Sequence, residues 1–346
     1  MVAELRRRHP EWRLLAAAGP FTQHAGAELV AETASAGVMG LEAARRLQEL
    51  PALVEQLQKH LPNDDPVVHI PVDSPAAQFR ITPTFRARGA KTVHWVAPKI
   101  WARRWDGRLA KLRRQTDALA CLFPFEAEWF ARRGLPATFV GHPSFSRAIE
   151  AAPTPGLPET KHRIAILPGS RAQEIRDNLP LMLKVMDRLG SEMDVSGVIV
   201  AADLRAAQQI EALNQSKYPV RTGDIDGVLA WSSFAFAVSG TVTLDVARHR
   251  RPGLGIYACG VMFRTIAKIL IRGMVLPPNL VLGREVMPEL APIPMDSELV
   301  LGMVRALLND SQALRQQVQA WDELHKMYEG HDPGAGVADL VDGVLS

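Results

Sequence analysis

Short apolar runs separated by helix-length segments recur along this chain, and that alternation constrains its fold more than any other feature. The runs that read as strands are 12–17, 67–72, 92–97, 117–123 and 138–141, followed by 163–167, 196–201, 234–239 and 253–257. Between them, 41–60, 99–114, 171–190 and 241–250 have the length and spacing of helices. Strand–helix–strand order requires right-handed crossovers and therefore parallel sheets. At 346 residues the chain exceeds one compact α/β core, and the proline-rich stretch "EAAPTPGLPETK" (150–161) divides it. The expected organisation is a first domain over 1–150, a linker over 151–161 and a second domain over 162–328. A C-terminal helix over 329–346 would be able to pack back on the first domain. Two such halves joined by one linker make a cleft, and ligands of open α/β sheets bind where loops leave the carboxyl ends of the strands.

Several classes of function are set aside early. No apolar stretch has the length and purity of a membrane span. The amino terminus, MVAELRRRHPEW, is basic and amphipathic and lacks the apolar core of a signal peptide. Two cysteines, Cys121 and Cys259, are far apart and without metal-ligand spacing, which reads as two buried, reduced thiols in a cytosolic protein. Neither a metal nor a cofactor is expected. The net charge is only +3, but ten Lys and Arg residues between Arg86 and Arg114 face a single acid, Asp106. Such a block suits anionic partners.

The loops after the strands carry the chemistry. In "ILPGSRAQE" (166–174) a strand stops at Pro168-Gly169, and Ser170 with Gln173 forms a capping-box pattern for the helix that follows. The free N–H groups and positive end of such a helix suit a phosphate, and Arg171 would add bidentate donors. Arg171 would otherwise pair with Glu174. A second loop, Ser239-Gly240-Thr241, again opens a helix after a strand, with Asp245 one turn further on and able to take a sugar hydroxyl pair or simply to be solvated.

In the first half, "HIPVDSPAAQF" (69–79) sets Asp73 just past a strand, as a general base or as a turn residue before Pro75. Trp95, Trp101 and Trp105 lie among the cations of 93–114 and would stack on bases, meet an anionic lipid surface, or sit on a helix with a solvated basic face. His142, in the Gly-His-Pro turn of "FVGHP", would line the cleft or order its loop. Further on, Arg264, Lys268 and Arg272 are four residues apart on one face of an otherwise apolar segment. That pattern fits a membrane-surface helix or a core helix with snorkelling cations.

The ordered series VDSP, VHWVAPKIWARR, LFPFE, FVGHP, LPGSRAQE, VSGTVTLD and LPPNLVLGRE resembles the lipid-A-disaccharide synthase family, over nearly the whole chain. The resemblance implies a GT-B glycosyltransferase: α/β, with two Rossmann-like domains whose parallel sheets face across a cleft. It implies transfer of 2,3-diacylglucosamine from its UDP conjugate to 2,3-diacylglucosamine 1-phosphate (lipid X), forming a β-1,6 disaccharide with inversion and releasing UDP. Asp73 would be the base and Arg171 would stabilise the leaving UDP. Gly169, Ser170, Gly240, Thr241, Asp245 and Asn279 would bind the UDP-sugar, and Trp101 and His142 would belong to the acceptor side. Arg264, Lys268 and Arg272 would touch lipid. The expected setting is the cytoplasmic surface of the inner membrane, without nucleic acid, and a homodimer is left open.

Some positions depart from the family pattern. The expected departure is at the start: the helix that follows the family's leading strand and GExSGD loop would begin at Met1, either because the true start lies upstream or because this is a divergent member. A sheet without that strand would carry unpaired backbone. Ala76-Ala77-Gln78 replaces DFN, Ala97 replaces a serine, Arg103 a tryptophan and Asp245 a glutamate. These departures bear on acceptor identity, and they keep two alternatives in play: a transferase or epimerase acting on another UDP-sugar, and an inactive homologue that binds UDP-sugar or lipid.

Overall fold

The computed structural model describes residues 1–33, 41–61, 65–102, 107–149, 152–215, 217–258, 273–293 and 296–346, and in these every strand pair is parallel. The chain divides into two units, Met1–Ser146 with Gly330–Ser346, and Arg147–Glu329. Residues 152–161 lie on the second unit. There Thr154 Oγ1 donates to Asp224, and the Trp231 indole donates to the Pro158 carbonyl at 3.0 Å. The division therefore falls at Ser146/Arg147, ahead of the proline-rich stretch rather than within it.

In the first unit β3 (Val68–His69), β4 (Lys91–Trp95), β5 (Ala118–Cys121) and β6 (Ala137–Phe139) form a four-stranded sheet in that order. The two-residue period sends Val93, Ala118 and Ala120 to one face, against Leu5 of α1 (Val2–Arg8) and Val337 and Val341 of α15 (Pro333–Leu345). Thr92, His94, Leu119 and Cys121 turn to the other. Cys121 is buried there, while Cys259 lies outside the described residues. β1 (Leu15–Ala18) and β2 (Glu28–Glu32) make a separate two-stranded sheet. Among the described residues β1 pairs only with β2, and β3 only with β4. A cavity of about 1880 Å³ is lined by both strands, by Leu50 and Leu57 of α3 (Leu41–His60), and by Ile81 and Phe85 of α4 (Pro75–Arg86).

The second unit has six strands in the order β12-β11-β10-β7-β8-β9. These are β7 (His162–Leu167), β8 (Val195–Ala201), β9 (Val220–Thr222), β10 (Phe234–Val238), β11 (Gly253–Ala258) and β12 (Glu289–Ile293). Every residue of β10 is buried, as expected of a central parallel strand with helices on both faces. Phe234 and Phe236 each contribute roughly 2–3 kcal/mol of apolar burial. They pack with Ile164, Ile166, Leu179 and Met182, the last two from α8 (Ala172–Glu192), and with Val300 and Val304 from α13 (Ser297–Asn309). Three strands, β2, β9 and β12, fall outside the apolar runs that read as strands, being shorter or more polar, and β3 covers only two residues of the run 67–72. β12 carries Pro292 and sits at the sheet edge, where a missing N–H is tolerated.

Candidate active site

Strand order locates the first half of the site. From β7 the chain moves outward to β8 and β9, then returns to place β10 on the opposite side of β7. The order reverses between β7 and β10, and a crevice at the carboxyl ends of such neighbours is where open α/β sheets take ligands. Leu167 and Ala237 are paired across these strands. The loops that leave here are Pro168–Arg171 and Ser239–Thr241, so two sequence-distant motifs meet at one edge of one sheet.

The first loop is shaped by Gly169. Its φ of +101° is left-handed, and a β-carbon there would stand 2.7 Å from Glu174 Oε2. The cap differs from the Ser170–Gln173 pattern expected from sequence. α8 starts one residue later, with Arg171 at the N-cap position and Glu174 at the third helical position. The Glu174 carboxylate accepts from the amides of Ser170 at 3.2 Å and Arg171 at 3.3 Å. It also pairs with Arg171 Nη1 at 2.6 Å. Gln173 instead donates to Asp177 and accepts from Arg176. The backbone donors suited to a phosphate are thus held by an internal carboxylate. Arg171 keeps 55% of its side chain exposed, so the pair is a surface one, worth roughly 0–1 kcal/mol, that an incoming dianion can displace.

The second loop is more open. Nothing lies within 4 Å of where a Gly240 side chain would point, and Thr241 is exposed at the start of α11 (Val242–Arg248). Asp245 is only 13% exposed, bonded by Arg147 Nη2 at 3.1 Å, with Arg248 Nε at 3.8 Å. Its carboxylate is already neutralised by guanidinium groups, which holds it rigid.

Asn279 is placed in the interior. It is fully buried in α12 (Pro277–Leu282), and its amide is saturated. Oδ1 accepts from the amides of Val286 and Met287, while Nδ2 donates to the Met287 carbonyl and to Glu289. An Asn side chain has two donors and two acceptor sites. All four are used to fold the turn into β12, which leaves none for a UDP-sugar.

In the first unit the candidate groups also gather at the carboxyl edge of the sheet. Asp73 is exposed, with its amide donating to the Trp95 carbonyl at 3.0 Å. Asp73 and Ser74 both have left-handed backbones, at φ 48° and 46°, and Val96 after β4 has φ 71°. Three strained non-glycine residues at the ends of two neighbouring strands are the kind of outlier that clusters at functional sites. Ser74 and Trp95 also line the apolar cavity, whose lining includes Pro75, Ala76 and Ala77 beside Asp73.

Trp101 and His142 are used by the fold. The Trp101 indole donates at 3.0 Å to Glu126 of α6 (Pro124–Ala131), and its ring meets Phe125 edge-on. Glu126 also reaches back to the Phe123 amide at 3.3 Å. Burial pushes its carboxyl up to about 7, against the pull of these two donors. His142 is buried, stacked on Phe123, and its Nδ1 accepts from the Ser144 amide at 3.0 Å. The amide of its own turn thus holds the ring through Nδ1 and orders the loop. Glu126 lies in the LFPFE motif, where nothing in the sequence marks it as buried. For Glu126 the available signal was a proline at the first helical turn with an acid at the third position.

Arg264, Lys268 and Arg272, like Trp105, lie outside the described residues. Among the described residues no helix is long and apolar enough to cross a membrane, and no cluster of metal-ligating side chains occurs.

Comparison with known proteins agrees with this geometry. The sequence profile of the family described as "Lipid-A-disaccharide synthetase" matches residues 1–336. Proteins named lipid-A-disaccharide synthase from Pseudomonas paraeruginosa and Pseudomonas aeruginosa are 30% and 31% identical, each over 99% of this chain and 92% of its own length. One from Idiomarina loihiensis is 29% identical over the whole chain and 94% of its own length. Among solved structures, a putative UDP-N-acetylglucosamine 2-epimerase from Listeria monocytogenes superposes with a TM-score of 0.57 at 12% identity, covering 100% of this chain and 91% of that one. UGT89C1 of Arabidopsis thaliana, complexed with UDP, gives 0.55 at 14% identity, with 90% and 83% covered. The fold is therefore of the GT-B type, and the chain is a hexosyltransferase that belongs to the lipid-A-disaccharide synthetase family.

Proposed function

We propose that the protein transfers 2,3-diacylglucosamine from UDP-2,3-diacylglucosamine to lipid X, giving the β-1,6-linked disaccharide 1-phosphate and UDP. The observation that carries this reading is the meeting of Gly169–Arg171 and Ser239–Thr241 at the strand-order reversal of the second unit. There Arg171 and the loop amides receive the diphosphate, after Glu174 gives way, and stabilise the charge that develops as UDP leaves. Asp73 takes the proton of the acceptor's 6-hydroxyl. The hydroxyl oxygen bonds the anomeric carbon as the bond to the diphosphate oxygen breaks, and the electron pair leaves with UDP. A single displacement of this kind inverts the anomeric centre. The apolar cavity beside the Asp73 turn gives an acyl chain of the acceptor a place out of water.

The exposed cations Arg88, Lys91, Lys99, Arg108, Arg113 and Arg114 suit peripheral work at an anionic membrane surface on the cytoplasmic side. The test is incubation of the purified protein with both substrates and detection of disaccharide and UDP. Asp73→Asn is expected to lower kcat by roughly 10²–10⁴-fold with little change in donor KM. Turnover of UDP-N-acetylglucosamine without any disaccharide would transfer the assignment to another UDP-sugar, and full activity of Asp73→Asn would remove Asp73 as the base.

A further inference from the structure

Arg248 closes α11 with its side chain buried to 1% exposure, where a guanidinium needs partners for every donor. Its Nη2 pairs with Asp226, which also bonds His249 Nε2 at 2.8 Å, and its Nη1 donates to the Arg147 carbonyl at 3.4 Å. Its Nε has no hydrogen-bond partner among the described residues. Asp245 Oδ1 lies 3.8 Å from that Nε, beyond bonding distance. The same Oδ1 accepts instead from Arg147 Nη2 at 3.1 Å. One carboxylate oxygen thus stands between a solvent-facing guanidinium that bonds it and a buried one that does not.

Thr241 and Asp245 are four residues apart, so they share one face of α11, separated by a turn of about 5.4 Å. Arg147 belongs to the same unit and therefore rests about one turn from the Ser239–Thr241 loop. Its side chain is 54% exposed, against 13% for Asp245. A multiply charged anion with several acceptor oxygens competes for such a guanidinium better than a single carboxylate does. Were Arg147 to swing to that anion, Asp245 would be left as a poorly solvated charge. The open Nε of Arg248 removes this obstacle. A shift of Oδ1 by about 1 Å brings the two into a hydrogen bond.

We propose that Arg147 is a second diphosphate-binding arginine, additional to Arg171, with Asp245 as its resting partner. Arg248 keeps Asp245 paired once Arg147 has moved. The assignment rests on the reading of the Ser239–Thr241 edge as the UDP site. Two probes separate a phosphate contact from a merely structural role. Uridine carries the nucleoside without phosphate, and inorganic pyrophosphate carries the phosphates alone.

Affinities are measured by titration calorimetry on the full chain. Arg147→Ala is expected to weaken UDP by at least about 10-fold and uridine by less than about 2-fold, with Arg147→Lys in between. Its melting temperature stays within about 2 °C of wild type, because the lost pair is an exposed one. Asp245→Asn, which removes the resting charge, tightens pyrophosphate by at least about 3-fold, and this gain disappears in the double variant with Arg147→Ala. Wild-type UDP affinity in Arg147→Ala overturns the proposal. Equal losses of UDP and uridine also overturn it, since Arg147 would then act only by holding Asp245. A pyrophosphate gain that persists without Arg147 removes Asp245 as its resting partner. Arg171→Ala, measured in parallel, separates the two arginines. If it leaves UDP affinity unchanged while Arg147→Ala weakens it, the Arg171 assignment fails and that of Arg147 stands. If the wild type binds neither UDP nor pyrophosphate, the reading of the site and the proposal fall together.

Discussion

Arg171 illustrates how a single residue answers to two partners. In the free protein it pairs with Glu174, yet more than half of its side chain faces solvent at the edge where β7 and β10 part. Arg171→Ala is expected to reduce kcat/KM for the UDP donor by roughly 10²–10³-fold, with Arg171→Lys recovering part of the loss because it lacks the planar fork. Folding stability, read by thermal melting, should change by less than about 1 kcal/mol, since the lost pair is a surface one. Glu126 gives the opposite pattern, a stability effect that depends on pH. Its carboxyl is raised from 4.5 to about 7, so between these values the folded chain binds a proton that the unfolded chain releases. Stability from this group is full below about pH 4.5 and falls as pH rises through 7, by roughly 3 kcal/mol in all. His69 and His94, lowered to about 4 by burial, act in the other direction between pH 4 and 6.5. The difference in stability between wild type and Glu126→Gln therefore isolates the Glu126 contribution. It should shift in favour of the glutamine variant as pH is raised from 5 to 8, and a constant difference would contradict the raised carboxyl.

At the scale of elements, motifs and their surroundings part company. The runs around β7, β8, β10 and β11 were legible because parallel strands buried on both faces are nearly continuous apolar stretches. The strands β9 and β12 were not. Three residues or an internal proline carry no recognisable period, and pairing partners decide them. Loop chemistry was legible in kind and not in bonding. LPGSRAQE was recognisable as a strand, turn and helix, but whether Ser170 or Arg171 caps α8 depends on where the helix begins. Asn279 makes the point most clearly, since a motif asparagine looks the same whether it faces a ligand or a buried turn. Asn279→Ala would leave the Val286 and Met287 amides and the Met287 carbonyl unpaired in the interior, costing roughly 3–5 kcal/mol. UDP affinity of the folded fraction, measured by titration calorimetry, should stay within about 3-fold of wild type. A loss of affinity without a loss of stability would restore Asn279 to the ligand site.

Across the whole molecule, charge is the property that reaches furthest. A net +3 is modest, but the exposed cations of 88–114 concentrate it. Sedimentation with vesicles rich in anionic phospholipid should be strong near 0.05 M salt and lost by roughly 0.5 M, as the screening length shrinks to a few ångströms. Replacing Arg108, Arg113 and Arg114 together by glutamine should weaken it at low salt. Binding that ignores both salt and substitution would point instead to apolar insertion. The sequence by itself determined the parallel α/β architecture and the family, because these follow from local periodicity and from residues adjacent in the chain. Only the tertiary structure decided which motif residues are free to act. Burial and hydrogen-bond saturation depend on neighbours distant in sequence. That is why Asn279 and His142 turned inward, and why the left-handed Asp73 and Ser74 meet the left-handed Val96 at the edge of the sheet.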